Sequence, residues 1–481
     1  MVLVTGSARA SSAGSPDVKR ARRRRSLLVA SLGAALFTLA LGGPALARPP
    51  APSIFCKTYP DSPACTGRLT QCTLCHVSTQ PVAWNAYGAA LRVGADFEAE
   101  LPAALKEVEP LDSDGDGVSN GDEIAAGTKP AVAEEPVCPA PEPATSGAVP
   151  EGYDFALARR RVGILYCGAS PSYDEAKAFS AGDPDDRTLH ARLHEALDGC
   201  LAGAYWRDQG LPRIADALIR PVYAVGWDSP VGIRLADYEF DYRLWSYALT
   251  EDRDARELLT ADYHVVAGAD GALEKVTGTV SGSGASGGQP LAPERRAGMI
   301  TTQWFFVINT MFSALPRTTA AQAYRAYLGQ DIALQQGIWP VPGEPVDVDK
   351  KGVQAETCAP CHSTLDPLAY GFAYYRGIGP STGTYDPNRP GNLIDGWSDN
   401  TMHLLGQPVA DVVEWARVAS DSDYFRRQIA SLLFEHALGR PPGPPDERGF
   451  TAAWQAMPED GHSARRLIHR VVDLAAFGGV Q

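Results

Sequence analysis

Two copies of one short string constrain this chain more than any other feature: QCTLCHVST at 71–79 and ETCAPCHST at 356–364. Each packs two sulfurs and an imidazole into five residues, in a chain with only nine cysteines and nine histidines. At those frequencies one accidental Cys-x-x-Cys-His is expected on the order of a few times per thousand such chains. Two by accident is far rarer, so the fold has to be built around what the strings hold.

Three chemistries use this spacing. A thioredoxin-like redox pair needs a strand before the first cysteine, and no alternating apolar run precedes Cys72 or Cys358. A structural zinc site needs four ligands, and neither string has a second Cys-x-x-Cys or His pair beside it. The third is covalent attachment of haem c: the thiols bond the haem vinyl groups at the start of a helix, and the adjacent histidine becomes the proximal iron ligand. The expectation is two covalently bound haem c groups, at Cys72, Cys75 and His76, and at Cys358, Cys361 and His362.

The opposite face of each iron decides between a carrier and an enzyme. After Met1 the next methionine is Met299, and no histidine lies between His76 and His190, so the first haem has no evident distal ligand nearby. His190 and His194, on a helical stripe with Leu197 and Leu201, could lend one. As an i,i+4 pair they also read as ordinary half-buried histidines. For the second haem Met402 is the distal candidate, with His403 and His436 as alternatives.

A second motif follows the first string. DSDGDGVSNGDE at 112–123 places Asp112, Asp114 and Asp116 at positions 1, 3 and 5 of a calcium loop, and Gly117 at the sharp turn. Val118 offers a carbonyl at 7, with Asn120 at 9 and Glu123 at 12. With the following GTKP it resembles the calcium repeats of thrombospondin type 3, in which the ion braces a loop.

Residues 1–47 read as a signal peptide: a basic stretch (KRARRRR), an apolar run and an A-x-A cleavage site. Its removal takes seven of 43 basic and one of 57 acidic residues, leaving 36 against 56, net −20. Such a chain is not drawn to nucleic acid or anionic lipid; cationic redox proteins are the partners it would steer. No second segment could span a membrane, so the expected location is periplasmic or secreted. An oxidising compartment makes Cys56–Cys65 and Cys167–Cys200 candidate disulfides and leaves Cys138 unassigned.

The expected fold class is mainly α and multi-domain, two cytochrome c-like haem modules flanking a helical middle module. The haem and calcium module spans 48–130, a Pro/Ala/Glu-rich linker 131–152, the helical module 153–340, and the second haem module with its helical tail 341–481. Helical spacing of apolar residues marks 195–205, 211–219, 237–249, 253–259, 318–336, 407–419, 424–438 and 463–477. The apolar run at 304–312 is expected to be buried, and the Gly/Ser-rich 278–288 to form a surface loop.

CAPCHSTLDPLAYGFAYYRGIG (358–379), YFRRQIASLLFEHALGR (424–440) and LIHRVVDLAAF (467–477) resemble an uncharacterised group of large secreted bacterial cytochromes, with the same order of helical module, Cys-x-x-Cys-His module and helical tail. The likeness extends to RLWSYALTEDRDARELLTADYHVV (243–266) and RRAGMITTQWFF (295–306). Ala373 and Arg376 stand where that group usually carries acidic residues. CTLCHVSTQPVAWNAYG (72–88) joined to the calcium loop resembles a haem-plus-calcium arrangement of secreted cytochromes. The resemblance implies haem binding and electron transfer, with no established substrate. An exported dihaem electron carrier is the favoured function. The alternatives are a peroxidase-like haem oxidoreductase open at the first haem, and a redox module tethered through 153–340.

Overall fold

A computed structural model describes residues 51–65, 74–79, 82–91, 93, 96–132, 149–219, 238–269, 271–280, 288–379, 381–398 and 400–480. The signal-like segment, Cys72, Cys138, most of the linker and 281–287 lie outside the described residues. Among those described the fold is mainly helical, with three two-stranded antiparallel hairpins. No described helix is long and apolar enough to cross a membrane.

Residues 51–132 build a small core from Ile54, Phe55, Leu74, Tyr87, Leu101, Leu105, Val108 and Ile124. Helices Ala51–Thr58, Phe97–Glu107 and Asn120–Ala126 carry most of it. Asp96 and Ser119 cap the last two by accepting backbone N–H bonds, which satisfies donors that a helix start leaves open. A core this small needs staples. One is the Cys56–Cys65 disulfide; another is the Ser62 hydroxyl, which donates to the Ile124 carbonyl at 2.8 Å.

The described residues between 149 and 480 share one continuous core, running from Tyr153 to Phe477. The segments 153–340 and 341–481 therefore fill each other's interior. Tyr153 donates to the Val472 carbonyl, and Arg161 donates to the carbonyls of Ala476 and Phe477. Trp206, Trp245 and Trp415 are fully buried in this core. The helix Ala464–Val472 turns Leu467, Ile468, Val471 and Val472 inward and leaves His469 and Arg470 on its other side.

Local chemistry moved several expected boundaries. The helix begun at Arg317 stops at Leu328, because Gly329 takes a left-handed conformation that ends it; beyond it only the single 3-10 turn Ile332–Leu334 forms. Residues 407–409 form a strand paired with Met402–Leu404, and the helix starts at Val412 behind its Asp411 cap. Residues 304–307 are buried as expected, on the helix Gln303–Asn309, but Phe312, past its end, is 73 % exposed. The helix Tyr173–Phe179 was not anticipated, although Ser172 and Glu175 spell its capping box.

One buried histidine gives this core a pH dependence. His264 is 4 % exposed, against the edge of Phe240. Burial, then the Arg296 charge, push its imidazole down to about 4. The unfolded chain therefore takes up that proton first as pH falls from about 6.5, and the native state loses up to about 3 kcal/mol by pH 4. Urea midpoints of wild type and His264→Phe should converge in slope at pH 7 and part between pH 6 and 4.5, with wild type falling faster. Parallel curves across that window would contradict the assignment.

Candidate metal and cofactor sites

The second string forms the better-defined site. Cys358 stands at the N-terminus of the helix Ala359–Ala369, with Pro360 in its first turn, where a missing N–H costs nothing. The His362 amide donates to the Cys358 carbonyl at 3.0 Å, so the whole string winds on one turn. Cys358 and Cys361 are free thiols, each partly exposed, and burial raises the Cys361 thiol above its ordinary range.

His362 is held from behind. Its Nδ1 lies 2.8 Å from Asp366 Oδ1, one turn along the same helix. Asp366 is 0 % exposed and accepts a two-pronged bond from Arg317, Nε to Oδ1 at 2.6 Å and Nη2 to Oδ2 at 2.7 Å. Arg317 continues to Asp349 through two bonds of 2.7 and 2.9 Å. A carboxylate on Nδ1 makes that nitrogen the donor, so the lone pair falls on Nε2. Metal-binding histidines are oriented and made more basic in this way. These residues fit a covalently bound haem: two unpaired thiols on one helical turn and an imidazole with Nε2 left for iron.

Asp366 and Arg317 did not emerge from the sequence reading. His362-x-x-x-Asp366 at i,i+4 on a helix opened by Cys358 was the available signal; Arg317 had none, being remote in sequence.

The distal candidates are placed elsewhere. Met402 is buried, its sulfur over Gly371 and beside Val412, at the opposite end of that helix from His362. His403 turns Nδ1 toward the Thr401 carbonyl. His436 is packed against the rings of Tyr166 and Trp206, and burial lowers its pKa.

At the first string, Cys72 lies outside the described residues. His76 opens the strand His76–Thr79 rather than a helix, and its ring stacks on Trp84, centroids 4.1 Å apart. Asn85 braces the turn: its amide donates to the Leu74 carbonyl at 3.0 Å and its Oδ1 accepts from the Gly88 N–H. A side chain at Gly88 would collide with the Cys75 carbonyl, so WNAYG carries a glycine that lets the helix sit on the string.

The acidic loop is wound as a cation site. Asp112, Asp114 and Asp116 converge, with one oxygen of each within 4.8 Å of the others. Asp112 accepts from the Gly115 and Gly117 amides, and Asp116 from Val118. Gly115 and Gly117 have φ of 84° and 92°, which only glycine adopts without strain. Asn120 is used as a bolt, its Oδ1 accepting from Ser113 N–H and its Nδ2 donating to the Val108 carbonyl. Glu123 is 1 % exposed, and its Oε2 has no hydrogen-bond partner. Burial, then the charges of Asp114 and Asp116, raise it to about 7. A buried carboxylate among three others suits a bound cation.

His190 and His194, considered as distal lenders, instead turn both Nε2 atoms to Asp473, at 2.9 and 2.7 Å.

Two segments match family models. Residues 405–477 match one described as a protein of unknown function (DUF1585), a family associated with cytochrome-like proteins. Residues 112–133 match the bacterial TSP3 repeat, which supports calcium binding by this loop. No curated protein and no solved structure matches the chain.

Proposed function

We propose that this protein is an exported dihaem c-type cytochrome that passes electrons between periplasmic or extracellular partners, with a calcium-braced first haem module. One observation carries the reading at the second string: His362 is locked by Asp366 with Nε2 left for iron, directly beside two free thiols. Haem bound there would supply a one-electron Fe(III)/Fe(II) couple. The protein's part is to hold it through Cys358 and Cys361, to orient the His362 ring, and to set the charge behind it. Asp366 makes His362 more electron-rich, which favours the ferric state; Arg317 offsets part of that charge. The acidic surface, net −20 without residues 1–47, suits basic redox partners.

A second reading is a haem oxidoreductase with an open iron site. The placement of Met402 away from His362 and the carboxylate behind the proximal histidine both favour it. Optical spectra of the holoprotein, ferric and ferrous, with and without carbon monoxide, separate the two. Two low-spin haems that ignore carbon monoxide support the carrier. A haem that binds it supports the enzyme and overturns the carrier reading in its simple form.

Calcium would be held by Asp112, Asp114, Asp116, the Val118 carbonyl and Glu123, with Asn120 at the ninth position. Because the ion must displace the proton that Glu123 keeps up to about pH 7, affinity should rise from pH 5.5 to 7.5. Glu123→Gln should weaken binding about tenfold or more and flatten that dependence. Calorimetric titration at three pH values checks both; an unchanged affinity would remove Glu123 from the site.

A further inference from the structure

His190, His194 and Asp473 converge where the helix Asp186–Leu201 meets the residue that ends the helix Ala464–Val472. One oxygen, Asp473 Oδ1, lies 2.9 Å from His190 Nε2 and 2.7 Å from His194 Nε2. Ligand atoms on a tetrahedral zinc with bonds of 2.0–2.1 Å stand about 3.3 Å apart, so these hydrogen-bonded contacts would open by about half an ångström to admit the ion. All three side chains are partly buried, and Asp473 keeps an edge toward solvent.

A second layer stands behind the first. His194 Nδ1 lies 2.5 Å from His469 Nδ1. The ring planes are 20° apart and the centroids 4.8 Å apart, a separation such rings reach at that nitrogen distance only when joined end to end. His469 Nε2 lies 2.9 Å from Asp198 Oδ1, and Arg465 donates to the same oxygen at 2.6 Å.

The donors and acceptors along this row can be counted. Three contacts, Asp473 to His194, His194 to His469 and His469 to Asp198, each need one proton. Two neutral imidazoles supply two. Without an ion, making all three contacts hydrogen bonds takes one proton more than two neutral imidazoles carry. A divalent ion in place of the proton on His194 Nε2 leaves both rings neutral. His194 Nδ1–H then donates to His469 Nδ1, and His469 Nε2–H to Asp198. Both donors on the His194–His469 row then face an acceptor, the pattern in which metal-binding histidines are usually supported.

We propose that His190 Nε2, His194 Nε2 and Asp473 form a binding site for a late first-row divalent ion, with zinc as the reference ion. His469 and Asp198 position His194, and the remaining coordination places open to water. Two imidazoles and one carboxylate suit zinc, cobalt, nickel or copper over calcium or magnesium. The site is separate from both Cys-x-x-Cys-His strings and from the acidic loop.

The test is equilibrium dialysis of the full-length exported holoprotein against micromolar zinc with saturating calcium, with zinc and iron counted per chain. One zinc per chain is expected. It should be lost in His194→Ala, weakened about tenfold to a hundredfold in His469→Ala, and unchanged in Asp114→Ala, which excludes the acidic loop as its seat. X-ray absorption at the zinc edge of the wild type should show two imidazoles and oxygen ligands, a readout that stands even where a variant fails to fold. No stoichiometric zinc in the wild type, zinc retained by His194→Ala, or an all-oxygen shell would each overturn the proposal and leave the cluster as a hydrogen-bonded clamp.

Discussion

Asp366→Ala should destabilise the 149–480 body by about 3–5 kcal/mol, because it removes one partner of a buried ion pair and strands the other. Asp366 is fully buried, and Arg317, itself only 16 % exposed, directs two of its nitrogens at it. Asp349 still pairs with Arg317 in the variant, which places the cost toward the lower end of that range. The same change frees the His362 ring, so a haem-loaded variant should also show a higher reduction potential than wild type. Replacing both partners, Arg317→Met with Asp366→Leu, should recover neither the stability nor the potential, because Asp349, 11 % exposed, then loses Arg317. Urea denaturation and potentiometric titration of the three proteins check this; a single-variant loss below about 1 kcal/mol would mean that the pair is not a buried one.

The Cys167–Cys200 disulfide should contribute about 2–4 kcal/mol. It closes a loop of 33 residues, and cross-linking a loop of that size removes that much freedom from the unfolded chain. Cys200 is buried on the helix that presents His190 and His194, and Cys167 ends the π-helical turn Gly163–Cys167 that packs against it. The double variant Cys167→Ala with Cys200→Ala should unfold at correspondingly lower urea, with the calcium loop's affinity unchanged. Equal stability of the two proteins would contradict the assignment.

Local rules made much of this legible. The acidic loop, the Cys56–Cys65 disulfide and the helices at 211–219 and 424–438 were readable because each depends on residues close in sequence; Cys167–Cys200, 33 residues apart, was readable because few cysteines were left to pair. What was not readable depends on remote neighbours. Arg317 and Asp366 meet across 49 residues, and Asp473 reaches His190 across 283. No periodicity in either segment announces such a partner. The shared core of 153–340 and 341–481 was hidden for the same reason: an apolar helix face shows that something covers it, not which element does. His76 on a strand is a local miss, since its pairing with Trp84 needs the turn between them.

The most direct measurement is the count of covalently bound haem in the exported protein, by pyridine haemochrome absorbance against protein concentration and by intact mass. The account predicts two haems per chain, one after Cys358→Ser with Cys361→Ser, and one after Cys72→Ser with Cys75→Ser. A protein that leaves the cell correctly processed, in a host that attaches haem c, and carries no covalent haem at either string would contradict it.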